Sequence, residues 1–273
     1  SLGGAGTLLS YASKARRELP NTRTLVDGDV EPLSKDASFS AQHILTPLQG
    51  VAIHINAFNF PVWGMLEKVA PTFIAGLPSI VKPASQTAYL TELVVRRIVE
   101  SGILPEGALQ LISGSTGDLL DHVTGQDVVT FTGSAWTGRK LRSGAAIVEN
   151  STRFTMEADS LNAAILGPDA GPGTPEFDLF VKEVAREMTV KAGQKCTAIR
   201  RVIAPRGVTD ALVAALGARL DKTVLGDPSA EATRMGPLAS LDQRREVRER
   251  IRELQQEAEI VAGNPDAVRV ASG

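Results

Sequence analysis

The chain has 273 residues, room for one large domain or two modest ones, and 43% of them are hydrophobic, enough to bury a proper core. A formal net charge of −2 gives no basic surface for nucleic acid, and no apolar stretch approaches the length of a membrane span. The single cysteine excludes an internal disulfide and suits a reducing, cytoplasmic setting, and the N-terminus lacks the pattern of a secretory signal.

The chain starts on Ser1 and stops on "VRVASG", and both ends read as cuts through a longer protein. Before Gly50, turn signals and alternation with little bulk predict a hairpin near 27–46, outside any main sheet. From Gly50 short apolar runs alternate with amphipathic stretches. "GVAIHI" (50–55) predicts a strand, 61–76 a helix, "SIVKPA" (79–84) a strand and 87–102 a helix closed by Gly102. "LQLIS" (109–113) predicts a third strand, 116–125 a short helix, "DVVTFTG" (127–133) a fourth strand, and a helix follows from about Trp136. "TRFTMEA" (152–158) and "NAAILG" (162–167) read as two more strands of the same sheet.

This alternation predicts an α/β chain built on a parallel sheet with helices on both faces. The Pro- and Gly-rich run "PDAGPGTPE" (168–176) reads as a linker, which divides the chain into 1–167 and 168–273. Beyond it the pattern restarts with a helix at 177–190, a strand at 199–205 and a helix at 208–222. Ser240-x-x-Gln243 opens a charged helix over 240–259 as a capping box, and its mixed charges read as a solvated face.

Open parallel sheets bind ligands at the carboxyl ends of their strands. The polar residues just past the predicted strands are Asn56 and Asn59, Lys82, the Gly133–Ser134–Gly138 turn, and Glu157. Each also has a plainer reading: a turn asparagine, a solvated lysine, a glycine turn without phosphate-loop spacing, and a salt-bridged glutamate. Glu157 lies within "FTMEA", an apolar setting where an unpaired carboxylate would be costly. Cys196, in "GQKCTA", is either a small buried hydrophobe or a nucleophile. The three histidines, His43, His54 and His122, show no metal-ligand spacing and read as structural.

Taken together, "HINAFNFP", "VKPAS", "FTGSAWTG", "MEADS" and "GQKCTA" resemble, in order and spacing, the aldehyde dehydrogenase superfamily. Within it, "HINAFNFPVWGMLEKVAP", "FTMEADSLNA" and "REMTVKAGQKCTAIRR" are similar to the dehydrogenase part of bifunctional ring-opening enzymes of phenylacetate degradation. The resemblance implies a Rossmann-like cofactor domain followed by the first part of an α/β catalytic domain, truncated at both ends. It implies NADP as cofactor, with NAD as the alternative, and a CoA-linked semialdehyde as substrate. The shorter semialdehyde of benzoyl-CoA epoxidation fits the same motifs. It also implies a homo-oligomer, with the 27–46 hairpin serving assembly, and no metal.

Residue by residue, the resemblance makes Cys196 the nucleophile, Asn59 an oxyanion donor and Glu157 the base that activates water. Lys82 and Ser85 fall at the adenosine ribose, and Gly133, Ser134 and Gly138 at the pyrophosphate. Two rivals stay open: a CoA-acylating dehydrogenase, which needs no water base, and a fragment without turnover. The common Glu-Leu-Gly-Gly run of the superfamily is here Glu157-Ala158-Asp159-Ser160.

Overall fold

A computed structural model describes residues 1–268, 270 and 271. It opens on a helix that the sequence pattern did not announce, α1 (Leu2–Glu18), capped by the Ser1 hydroxyl accepting from the Gly4 N–H. Gly4 is its buried residue, and a Cβ there would come within 2.9 Å of Leu66. The hairpin is present: β1 (Leu25–Pro32) pairs antiparallel with β2 (Ser40–Leu45) as a separate two-stranded sheet with almost every residue exposed.

The parallel sheet follows from the apolar runs. Its elements are β3 (Ala52–Ile55), α2 (Trp63–Ile74), β4 (Ser79–Lys82), α3 (Ala88–Glu100), β5 (Leu109–Leu111), β6 (Val128–Gly133), α4 (Ala135–Arg142), α5 (Ala145–Glu149) and β7 (Arg153–Ala158). The strand order is β5-β4-β3-β6-β7, all parallel. Such sheets are covered on both faces, so their central strands read as continuous apolar runs; all four residues of β3 are buried. One face packs Ile53, Ile55, Val129 and Phe131 against Val123 and Ile147, and the other packs Val81 and Leu109 against Met65, Val69 and Val95 of α2 and α3. Residues 116–125 form only a short 3-10 turn, Leu119–His122, instead of the expected helix.

Two buried polar groups knit this sheet. The Asp127 carboxylate accepts from Val51 N (2.7 Å), Thr124 N (2.7 Å) and Thr124 Oγ1 (2.9 Å). Burial pushes its pKa up, but these hydrogen bonds outweigh burial and hold the carboxyl below its usual range. His54, fully buried in β3, has Nδ1 2.8 Å from the Thr130 hydroxyl and Nε2 3.3 Å from the hydroxyls of Thr72 and Ser79.

The chain divides into two compact units, Ser1–Ala158 and Asp159–Gly273. The second contains β8 (Ala163–Ile165), α6 (Pro175–Thr189), β9 (Arg201–Ile203), α7 (Thr209–Leu220) and α8 (Leu241–Leu254). The expectation that 162–167 extends the main sheet is overturned: β8 pairs parallel with β9 instead. Asp159, left-handed at φ 53°, ends β7, and the Asn162 carbonyl accepts from the N–H groups of Arg200 and Arg201. Leu166, Phe177, Val181 and Leu212 form the core of this unit. The capping predicted at Ser240 is present, its hydroxyl accepting from the Gln243 N–H at 3.1 Å, and α8 buries no residue, as a solvated face should. It ends at Leu254, short of the expected residue 259.

Candidate active site

Register places the polar strand ends of the first unit on one edge. Ile55 of β3 lies level with Lys82 of β4 and Phe131 of β6, and Phe131 lies level with Met156 of β7. Residues just beyond that level therefore emerge together: Asn56 to Asn59, Pro83 to Ser85, Gly133 and Ser134, and Glu157. From β3 the chain builds outward through β4 to β5 on one side, then crosses back to place β6 and β7 on the other side of β3. That is a topological switch point, where open α/β sheets take ligands.

The loop carrying Asn59 is tied down on both sides of that residue. Thr87 Oγ1 donates to the Phe58 carbonyl at 3.0 Å, and the buried Thr91 Oγ1 donates to the Pro61 carbonyl at 3.1 Å. Asn59 itself is half-buried. Asn56 is 4% exposed, and neither atom of its amide nor the Thr132 hydroxyl has a protein partner among the described residues.

Lys82 is not the solvated loop lysine of the plainer reading. It is half-buried, burial lowers its pKa, and among the described residues no acceptor pairs with its ammonium. Ser85 opens a 3-10 turn, Ser85–Thr87, and is exposed. Ser134 is the N-cap of α4: its hydroxyl accepts from the Thr137 N–H at 3.2 Å and donates to Thr137 Oγ1 at 3.0 Å. A Cβ on Gly133 would lie 2.6 Å from the Phe131 ring. Gly138 is buried, and a Cβ there would strike the Met156 side chain, so this glycine lets α4 seat closely on β6 and β7.

Glu157 corrects the sequence reading. The expected apolar setting is absent in this unit: β7 alternates exposed and half-buried, and Glu157 lies on the exposed side. Its apolar neighbours Phe154 and Met156 turn the other way, against the core. Adjacent strand residues point to opposite faces, so a sequence neighbour is not a spatial one. Among the described residues no cation pairs with it.

In the second unit Cys196 is exposed, so it is not a small buried hydrophobe. It lies between α6 and β9, after three consecutive left-handed residues: Lys191 (φ 55°), Ala192 (φ 53°) and Gly193 (φ 71°). Burial, then the charge of Lys195, pushes the Lys191 pKa down. Several side chains that sequence reasoning passed over hold this turn. Arg200 Nη2 donates to the carbonyls of Gly193 (2.9 Å) and Lys195 (3.2 Å). The Gln194 amide donates to the Lys191 carbonyl and accepts from the Ala239 N–H, each at 2.9 Å. Asn162 Nδ2 donates to the carbonyls of Cys196 and Ala198. Lys195 Nζ lies 2.7 Å from Glu187 Oε2. These partners lie up to 45 residues away in sequence, and no local signal marks them.

Comparison with known proteins matches this arrangement to a family. The model of the aldehyde dehydrogenase family matches residues 5–271. A 3,4-dehydroadipyl-CoA semialdehyde dehydrogenase of Aromatoleum evansii is 52% identical over 97% of this chain and 51% of its own length. A betaine aldehyde dehydrogenase of Sinorhizobium fredii is 32% identical over 89% of this chain and 48% of its own. Among solved structures, a betaine aldehyde dehydrogenase variant from Staphylococcus aureus aligns at TM-score 0.78 and 25% identity, covering 94% of this chain and 48% of that one. Aldehyde dehydrogenase C of Pseudomonas syringae, solved with NAD+ and octanal, aligns at TM-score 0.76 and 26% identity over 97% and 52%.

The chain belongs to the aldehyde dehydrogenase family, a family of oxidoreductases, and spans about half the length of the relatives it matches.

Proposed function

We propose that this chain carries the cofactor-binding part and the nucleophile of an enzyme that oxidises a CoA-linked semialdehyde to its acid. The observation that carries the chemistry is Cys196: the chain's single thiol, exposed, in a strained turn that side chains hold in place. The substrate class rests on the 52% identical relative.

The reaction follows from the residue types. The Cys196 thiolate adds to the aldehyde carbon, forming a C–S bond and an oxyanion. The Asn59 amide and the Cys196 N–H, which has no acceptor among the described residues, are the donors for that oxygen. Preorganised donors of this kind are worth about 3–4 kcal/mol each in other oxyanion holes. NADP or NAD, when bound, would supply the acceptor for the hydride that leaves that carbon with its electron pair. The thioester left on Cys196 is cleaved by water that Glu157 deprotonates; the thiolate leaves and the acid is released.

The first unit suits a dinucleotide in three ways: a switch point in a parallel sheet, a capped helix start at Ser134, and the half-buried Lys82 ammonium, unpaired among the described residues. Lys82 and Ser85 would hold the adenosine ribose, and Gly133 and Ser134 the pyrophosphate, with Gly138 seating the helix behind them. Ser85 in place of an acidic residue supports NADP over NAD. The exposed apolar side chains of the hairpin, Val26, Val30, Ile44 and Leu45, support its use in a homo-oligomer.

For the substrate itself, the phenylacetate-derived 3-oxo-5,6-dehydrosuberyl-CoA semialdehyde is one reading. The name of the Aromatoleum relative favours the shorter 3,4-dehydroadipyl-CoA semialdehyde as the second. The test is steady-state kcat/KM for both in the complete natural protein, with Cys196→Ala alongside. The wild type should oxidise at least one of them, and Cys196→Ala should lose turnover and covalent acylation while still binding cofactor. Substantial turnover by Cys196→Ala would sink the assignment.

A further inference from the structure

We propose that Arg200 is a positioning residue for the Cys196 nucleophile; this rests on the reading of Cys196 given above. Three left-handed residues in a row are rare, and two of these carry side chains that disfavour the conformation. Such a backbone persists only where its surroundings hold it. Arg200 Nη2 does so by donating to the carbonyls of Gly193 and Lys195, which flank Gln194 and directly precede the cysteine.

The arrangement fits the chemistry of a guanidinium. A planar NH2 group has two hydrogens in fixed directions and meets two acceptors at once. The bonds are charge-assisted, and they add to the backbone bonds that these carbonyls already accept from the N–H groups of Lys195 and Ala198. Asn162 takes those of Cys196 and Ala198. With the carbonyls engaged in this way, the Cys196 peptide is held from both sides, and its N–H and thiol keep one orientation. Arg200 itself is exposed and belongs to no hydrophobic core, so its contribution lies in this turn rather than in packing. It touches neither thiol nor substrate on this account; it acts through the backbone.

The experiment compares wild type, Arg200→Met and Arg200→Lys in the complete natural protein. Three quantities are read: the pre-steady-state burst of reduced cofactor, the rate at which iodoacetamide alkylates Cys196, followed on its peptide by mass spectrometry, and cofactor Kd. Arg200→Met should slow the burst at least tenfold and change the alkylation rate at least threefold, with Kd within twofold. Arg200→Lys should fall between, because it keeps the charge and loses the planar fork. Equal burst and alkylation rates in folded Arg200→Met overturn the proposal. If Arg200→Met does not fold, wild-type rates in Arg200→Lys overturn it equally. Failure of the underlying reading looks different: the wild type itself would form no acyl adduct on Cys196, or Cys196→Ala would keep the burst.

Discussion

The Lys195 ammonium lies 2.7 Å from the Glu187 carboxylate, and the two side chains are only 10% and 18% exposed. The pair ties the residue before Cys196 to α6. Breaking a buried pair by removing one partner leaves an uncompensated charge, whereas removing both is often nearly neutral. Glu187→Leu should therefore destabilise the second unit by about 2–3 kcal/mol, given the residual exposure, and Glu187→Leu with Lys195→Met should recover most of that. Urea titration of the three proteins checks this; a double variant no better than the single one would show that packing, not charge, is at stake.

His54 predicts an acid weakness in the first unit. Burial, and secondly the charge of Lys68, push its pKa from 6.5 down to about 4. The folded state thus resists a proton that the unfolded state accepts. Its contribution is fully present above pH 6.5 and is lost as pH falls from there toward 4. The loss should be about 2 kcal/mol at pH 5 and about 3 kcal/mol once His54 is fully protonated. In His54→Gln, stability at pH 7 should drop through lost hydrogen bonds, but its fall between pH 7 and pH 5 should shrink by about 2 kcal/mol. An unchanged pH slope by chemical denaturation would assign the weakness to other groups.

Glu157→Gln should separate the two halves of the reaction. A base needed only for the water step is not needed for hydride transfer. The variant should keep a stoichiometric burst of reduced cofactor and then stall, with the acyl group retained on Cys196 and visible by intact mass. Loss of the burst together with turnover would mean that Glu157 acts earlier.

Ser85→Glu should shift cofactor preference. A carboxylate about 4 Å from a 2′-phosphate charge costs roughly 4 kcal/mol at an effective dielectric near 20. Ser85 is exposed, so water screens much of this. A tenfold fall in the NADP to NAD ratio of kcat/KM, about 1.4 kcal/mol, is the outcome to look for. An unchanged ratio would remove Ser85 from cofactor choice.

Hydrophobic periodicity marked the parallel sheet strand by strand, because central strands buried on both faces must be apolar. Chain order and turn residues then brought Lys82, Ser134 and Glu157 to the carboxyl ends of strands. The helix start at Ser240 was equally legible, since capping is a local contact between a hydroxyl and an N–H three residues on, whereas α6 starts at Pro175, inside the run read as a linker.

Other features depended on partners distant in sequence. The run 162–167 has the composition of a strand, but which sheet it joins depends on β9, and that pairing is set by backbone hydrogen bonds across the fold. "FTMEA" suggested an apolar home for Glu157, yet pleating sends Met156 inward and Glu157 outward. By itself the sequence determined the family and the α/β class, and it singled out Cys196 as the chain's one thiol. Only the tertiary structure decided that Cys196 is exposed, that its turn is left-handed, and that Arg200 and Asn162 hold it, because those contacts are made by carbonyls, which every residue carries and no residue type reveals.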